Sequence, residues 1–167
     1  PGRIVGIDYS MRMLRLAADR PIQRGIIVGG DALQLPIADR SVSIVTCAFG
    51  IRNFQDLFAG LQEMHRVLRG GGRAVILEFT VPRRRLLRGL YLLYFNHVLP
   101  LLGRVIGGDR SGAYRYLPRS VLSFVSEEAV VSALSAVGFA AVRVHRRSLG
   151  IVSIYVATRA DRPEVAR

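Results

Sequence analysis

The hydrophobic positions along the chain follow two patterns, short β-branched runs and longer stretches with helical spacing. The short runs predict six strands, at residues 4–7, 25–28, 42–46, 74–79, 141–146 and 150–157. The helical spacing predicts helices at 11–18, 56–69 and 126–137. Strands that alternate with helices are typical of a parallel sheet covered on both faces. The pattern therefore predicts an α/β fold with a mostly parallel sheet, in which Leu149-Gly150 joins the last two strands as an antiparallel pair.

The regular alternation stops in the middle of the chain. Residues 82–118 predict an irregular lid inserted into the fold, with an apolar stretch from 86 to 106 that is interrupted by Arg88, Pro100 and Arg104. A membrane-spanning helix needs roughly 20 mostly apolar residues without such charges, so this stretch does not predict one. We expect one domain over residues 1–159 that contains this lid, followed by a disordered tail at 160–167.

Composition limits the classes of function. The chain has 167 residues, is 50% hydrophobic and has a net charge of +12, and all 24 basic residues are arginine. An arginine-only composition reflects codon usage as much as a basic surface, and basic runs such as residues 83–85 have no interleaved aromatic residues to stack on bases, so we expect no nucleic-acid partner. The single Cys47 can form neither an internal disulfide nor a thiolate zinc site. We therefore predict a reducing, cytoplasmic location and no metal.

Two acidic residues each close one of two successive predicted strands. Asp8 can accept hydrogen bonds from a ribose diol, and Asp31 with the amide of Ala32 can bind the amine and a ring nitrogen of adenine. The alternative is that Asp8 caps a helix and Asp31 opens a turn. Because the ends of parallel strands form the usual ligand site of such sheets, the pair favours binding of a nucleoside.

The order of the motifs resembles the class I, Rossmann-like methyltransferases. The broad part of the resemblance rests on Gly6-Ile7-Asp8-Tyr9-Ser10-Met11, on Asp31-Ala32-Leu33-Gln34-Leu35-Pro36, and on Glu63-Met64-His65-Arg66 with the glycines at 70–72. The narrower motifs are Phe49-Gly50-Ile51-Arg52-Asn53, Leu77-Glu78-Phe79, His97-Val98-Leu99-Pro100 and Tyr114-Arg115-Tyr116-Leu117. Together they resemble the C-methyltransferases of ubiquinone and menaquinone biosynthesis over residues 3–158.

The resemblance implies S-adenosyl-L-methionine as cofactor and a prenylated quinol, either a benzoquinol or a naphthoquinol, as substrate. It implies catalytic roles for Arg52, Asn53, His97 and Tyr116, with Arg52 stabilising the quinol oxyanion and His97 as a candidate base. It further implies substrate binding by Phe49, Glu78 and Tyr114. For the histidine and the tyrosines, packing within the lid is the alternative, and Glu78 either orients Arg52 or only ends its strand.

Two expectations concern the remainder of the molecule. Members of this family begin with a further strand and a glycine-rich loop, so we expect this chain to lack the first, central strand of the sheet and its activity to be impaired. The alternatives are a methyltransferase for another small molecule, or a non-catalytic fragment that needs a partner to supply that strand. Arginines at 83, 84, 85 and 88 predict peripheral contact with the inner face of the cell membrane, unless they form a merely solvated cluster. The pattern does not decide the oligomeric state.

Overall fold

A computed structural model describes residues 2–19, 25–98, 101 and 113–161, with the side chains of 113–115 excepted. The strands of this part of the chain are β1 (Ile4–Asp8), β2 (Gly25–Gly29), β3 (Val42–Ala48), β4 (Leu68–Phe79), β5 (Phe139–Arg147) and β6 (Val152–Arg159). The helices are α1 (Met11–Ala18), α2 (Leu57–Val67), α3 (Arg85–Leu93), α4 (Ala113–Ser123) and α5 (Glu127–Val137). Shorter turns lie at Ile51–Asn53 (3₁₀), Tyr94–Val98 (π-helical) and Ser148–Gly150 (3₁₀).

The strands form two sheets. Strands β1 and β2 pair in parallel, and a second sheet has the order β3-β4-β6-β5. In the second sheet β3 is parallel to β4, whereas β6 runs antiparallel to both β4 and β5. The predicted α/β class and the antiparallel final strand are thus confirmed. Among the described residues, β1 pairs only with β2 and β3 only with β4, so each sheet has an edge without a partner strand.

The main core lies between the four-stranded sheet and helices α2 and α5. Every second residue of β4 and β6 points to this side, because side chains alternate between the faces of a strand. The fully buried members of the core come from the 3₁₀ turn, both helices and three of the strands: Ile51, Leu61, Met64, Leu68, Ala74, Ile76, Val130, Leu134, Phe139, Tyr155 and Ala157. A smaller cluster of Tyr91, Phe95 and Val121 covers Phe79 and Ile151 and holds α3 and α4 to the sheet.

The ends of the helices follow their capping residues. Ser10 accepts a hydrogen bond from the Met13 amide at 3.4 Å and begins α1, as its sequence position predicts. Ser126 begins α5 in the same way, and Gly138 ends that helix in the left-handed conformation with φ of 110°.

Two predictions about local structure were wrong. Helix α2 ends at Val67 and not at residue 69, and β4 begins at Leu68, so the glycines at 70–72 belong to the strand. The segment 82–118, predicted to be irregular, contains the whole of α3 and the beginning of α4, because its apolar residues recur at helical spacing and pack against the sheet. Most of the predicted tail, residues 162–167, lies outside the described residues.

No single helix in the described part of the chain is long and apolar enough to cross a membrane. Two helices, Tyr116–Ser123 and Glu127–Val137, would be long and apolar enough if combined, but they are bent by 63° relative to each other. Val130 and Leu134 of the second helix are buried in the main core, so that helix already has an apolar partner within the protein.

Candidate functional site

A carboxylate stands on the core face of β4. The alternation along this strand places Glu78 on the same side as Ala74 and Ile76, and the side chain of Glu78 is fully buried. A buried carboxylate requires a counter-charge and hydrogen-bond donors to remain ionised. Arg52 supplies the counter-charge through its Nη1, 2.7 Å from Glu78 Oε1, and the backbone amide of Phe79 donates to the same oxygen at 2.9 Å.

The guanidinium of Arg52 is held on several sides. Its Nη1 also donates to the carbonyl oxygen of Phe49 at 2.5 Å, and its Nε donates to Ser120 Oγ at 3.3 Å. Its own backbone amide donates to Glu78 Oε2 at 3.3 Å. The Arg52 side chain is only 9% exposed. The Nη2 group makes no hydrogen bond to a described residue and is therefore the nitrogen that remains for a ligand.

An aromatic wall lies beside this ion pair. The rings of Phe49 and Phe79 stack with centroids 4.5 Å apart, and the Arg52 guanidinium carbon lies 5.7 Å from the centroid of the Phe79 ring. Phe49 has a φ of 56°, a left-handed conformation that costs a bulky residue about 1–3 kcal/mol. Strained backbone of this kind persists where the surrounding structure enforces it, and it is concentrated at ligand sites.

Helix α4, which begins within the segment predicted to be a lid, completes the cluster. The Tyr116 hydroxyl donates to Asn53 Oδ1 at 2.5 Å, and Ser120, one turn further along the helix, accepts the hydrogen bond from Arg52. The structure therefore brings together Phe49, Arg52, Asn53, Glu78 and Tyr116, all of which the sequence nominated. Their catalytic and substrate-binding roles stay predictions.

The sequence did not nominate Ser120 and Phe79. A serine within a lid helix carries no local signal of a contact 68 residues away. Phe79 had a signal, because it follows Glu78 and must therefore face the opposite side of the strand, toward the lid.

Two other predicted residues lie outside this cluster. His97 is exposed in the π-helical turn, and no contact with the Arg52 cluster is seen among the described residues. Its role as a base stays a prediction without a structural contact in its favour. Tyr114 lies in the first turn of α4, and its side chain is outside the described residues.

The two aspartates lie at the carboxyl ends of the smaller sheet. Asp8 and Gly29 are register partners at the ends of β1 and β2, and the Gly30 amide donates to the Asp8 carbonyl at 3.1 Å, which keeps the two strand ends together. Oδ1 of Asp8 accepts from the Ser10 amide at 2.7 Å, and Oδ1 of Asp31 accepts from the Leu33 amide at 2.9 Å. Each carboxylate therefore holds its own loop with one oxygen.

The second oxygen of each aspartate makes no hydrogen bond to a described residue, and both residues are exposed. Ala32 directly follows Asp31 in the tight loop closed by the Gln34 amide on the Asp31 carbonyl at 3.0 Å. Two free carboxylate oxygens at adjacent strand ends are acceptors of the kind that a ribose diol and an adenine amine require, so these residues fit the nucleoside part of a cofactor.

A second ion-pair cluster anchors the loop that follows Asp31. Glu63 accepts from the Leu35 amide at 2.7 Å, while Arg66 donates to the carbonyl oxygens of Leu35 and Ile37, each at 2.9 Å. The Arg66 Nε is 2.7 Å from Glu63, and this contact lowers the pKa of the Glu63 carboxyl group. The Glu-Met-His-Arg motif thus attaches the end of the smaller sheet to α2.

The fold is that of a class I, S-adenosylmethionine-dependent methyltransferase. A methyltransferase of this kind from Thermotoga maritima superimposes with a TM-score of 0.62 at 16% identity, over 93% of this chain and 72% of that structure. The [4+2]-cyclase SpnF superimposes equally well, with a TM-score of 0.62 at 16% identity, over 95% of this chain and 67% of its own. The likeness therefore shows the fold, and one fold serves several reactions.

The chain belongs to the ubiE/COQ5 methyltransferase family, whose model matches residues 1–159. It is 43% identical to the demethylmenaquinone methyltransferase of Deinococcus radiodurans, over 93% of this chain and 65% of that protein. It is 41% identical to the ubiquinone/menaquinone biosynthesis C-methyltransferase UbiE of Geobacter sulfurreducens, over 93% of this chain and 62% of that protein. The chain thus spans just under two thirds of the length of these two relatives.

Proposed function

We propose that the protein carries out C-methylation of the ring of a polyprenylated quinol, with S-adenosyl-L-methionine as the methyl donor. The observation that carries this proposal is the buried pair of Arg52 and Glu78 beside an aromatic wall, in which the Arg52 Nη2 group has no hydrogen-bond partner among the described residues. The names of the relatives support a quinol substrate, and their reaction is the one that such a site can assist.

The acceptor in this reaction is a ring carbon, which becomes nucleophilic when the neighbouring hydroxyl loses its proton. Arg52 Nη2 would donate a hydrogen bond to the resulting oxyanion. Because Glu78 neutralises the charge of Arg52, the donor acts mainly as a fixed dipole in a site of low dielectric. Such preorganised donors contribute about 10²–10³ to kcat each.

The other residues of the cluster would position the ring. Phe49 and Phe79 offer an apolar surface on which a planar ring can lie. Tyr116 closes from the lid and fixes the amide of Asn53, which can orient the same ring oxygen or a water that accepts the proton. Asp8, Asp31 and the Ala32 amide would bind the nucleoside of S-adenosylmethionine, which when bound supplies an electrophilic methyl group.

The hydrophobic tail of the substrate has a consequence for location. A polyprenylated quinol resides in a lipid bilayer, so the protein must reach the membrane surface to meet it. We therefore place it in the cytoplasm with peripheral contact at the inner face of the cell membrane.

The test is methyl transfer from labelled S-adenosylmethionine to prenylated naphthoquinol and benzoquinol, each compared with its oxidised quinone. The assay uses this chain and, in parallel, the whole product of the gene that encodes it. We expect transfer to a quinol only in its reduced form. The variant Tyr116→Phe should reduce kcat roughly tenfold, because the fixed orientation of Asn53 is lost.

Two outcomes would contradict the proposal. Binding of the cofactor without transfer to either quinol, together with methylation of an amine or a sterol, would favour another small-molecule acceptor. Transfer that is equal to quinol and quinone would show that the oxyanion plays no part. A requirement for a second polypeptide would instead favour the alternative that the sequence left open, a fragment that needs a partner to supply the first strand.

A further inference from the structure

Helix α3 and the π-helical turn after it carry an apolar stripe that faces away from the protein. The stripe consists of Leu86, Leu90, Leu93, Tyr94 and Val98. These residues are separated by four, three, one and four positions, which places them along one side of the helix. All five are exposed, and Leu86 reaches 77% exposure. An apolar stripe of this length on a surface helix marks an interaction site.

The orientation of the stripe is determined by the other side of the same helix. Tyr91 and Phe95 are both buried, and their rings lie 4.2 Å apart in the cluster that contains Val121 and Phe79. Burial raises the pKa of Tyr91 to about 12, as expected for a phenol in apolar surroundings. The helix therefore cannot rotate to bury the stripe without exposing these two rings.

The charges at the start of α3 indicate what covers the stripe. Arg84, Arg85 and Arg88 are exposed and lie at the cap position and in the first turn and a half. Cations at a helix N-terminus oppose the helix dipole, and no acidic residue is present in that turn to offset them. A surface of phosphate groups would pair with the three guanidinium groups and would also be favoured by the dipole.

Arg83 has a different role from these three. Its guanidinium lies 3.1 Å from Glu127 and also contacts Glu128, so that it links the start of the lid to α5. Burial alone would raise the pKa of Glu127, but hydrogen bonds from Arg146 and Ser153 lower it overall. Arg83, which directly precedes the three arginines, thus attaches the beginning of α3 to an ionised carboxylate of α5.

We propose that the apolar stripe and the three arginines dock α3 on an anionic lipid bilayer, with the stripe in the acyl boundary and the arginines among the headgroups. A second copy of this chain is a poorer occupant, because a symmetric contact would bring six arginines together. The surface itself is argued from α3 alone, whereas its use in delivering a lipid-embedded quinol to the Arg52 site rests on the proposed function.

The test is flotation of the chain with vesicles, in the absence of cofactor and substrate. Vesicles of neutral phosphatidylcholine are compared with vesicles that contain one third phosphatidylglycerol. The triple variant Arg84→Gln, Arg85→Gln, Arg88→Gln should lower partition onto anionic vesicles by about 100-fold, from roughly a factor of five per arginine. The double variant Leu86→Ser, Leu90→Ser should lower it at least about tenfold.

Matched controls remove the same chemistry from other surfaces. Arg12→Gln, Arg15→Gln and Arg143→Gln remove three exposed arginines from α1 and β5, and Met11→Ser with Leu149→Ser removes two exposed apolar side chains. These controls should retain partition within about threefold of the original chain. Because all the substituted side chains are exposed, circular dichroism should show every variant folded.

The proposal is overturned if the anionic vesicles bind no better than the neutral ones, or if the controls lose as much partition as the α3 variants. It is also overturned if the chain does not float but forms a dimer that Leu86→Ser, Leu90→Ser abolishes. Methyl transfer to a short-chain quinol dissolved in detergent needs no vesicle. If the chain fails to methylate this quinol, the result contradicts the proposed function and does not bear on the docking surface.

Discussion

The pair of Glu78 and Arg52 allows the most direct test of how this site is built. Glu78 is fully buried and Arg52 is 9% exposed, and their closest atoms are 2.7 Å apart. Removing one partner of such a pair leaves an uncompensated buried charge, which costs about 3–5 kcal/mol. We expect Glu78→Gln to cost about 3 kcal/mol of unfolding free energy, at the lower end, because Arg52 keeps Phe49 and Ser120 as acceptors.

The reciprocal change is Arg52→Met, which leaves the carboxylate with two backbone donors, the amides of residue 52 and Phe79, and with no counter-charge. It should also cost about 3 kcal/mol at pH 7. The double variant removes both charges from the interior, and replacing a buried pair is often nearly neutral, so it should cost no more than about 2 kcal/mol. The predicted coupling energy, the sum of the two single costs minus the cost of the double variant, is therefore at least about 4 kcal/mol, a large share of the stability of a typical domain.

The assay is urea unfolding at pH 7 followed by circular dichroism, with all four proteins of the cycle measured at one temperature. Asp39→Asn is the control, because Asp39 is 73% exposed in its ion pair with Arg66 and should contribute no more than about 1 kcal/mol. If the costs in unfolding free energy of the two single changes add up to the cost of the double variant within about 0.5 kcal/mol, the pair is not coupled and our account of the site is refuted.

Two further predictions concern stability. Gly60→Ala should destabilise the protein by about 1–3 kcal/mol in urea, since a β-carbon there would lie 2.3 Å from the ring of Phe54. Gly89→Ala lies in the exposed interior of α3 with nothing within 4 Å of the added β-carbon, and it should stabilise the protein by about 0.5–1 kcal/mol. A loss of stability in Gly89→Ala would contradict the assignment of residue 89 to a helix. Burial lowers the pKa of His65, and the charge of Arg159 adds to this, so the unfolded chain binds the proton more tightly and stability falls as the pH drops below about 6.5. The urea midpoint should therefore change less between pH 7.5 and 5.5 in His65→Gln than in the original chain. An equal pH dependence in the two proteins would contradict this role of His65.

Local patterns determined the elements of this protein. Alternation of side chains identified the strands, and the 3.6-residue period with its capping residues identified the helices, because both signals depend on residues that are neighbours in the chain. The lid was the exception: its apolar residues have helical spacing, but Arg88 and Pro100 within them made the segment look irregular. Asp8 and Asp31 were identified as a pair because strand ends in a parallel sheet share one edge.

Only the tertiary structure decided the partners of these side chains. The sequence left open whether Glu78 contacts Arg52, 26 residues earlier, or only ends its strand. It gave no sign that Ser120 and Tyr116 of α4 contact Arg52 and Asn53. Such contacts depend on how α4 and β4 pack, and packing is a property of the whole core. The same holds for α3, which carries apolar residues on two sides: burial of Tyr91 and Phe95 in the smaller cluster decided that the stripe from Leu86 to Val98 faces outward.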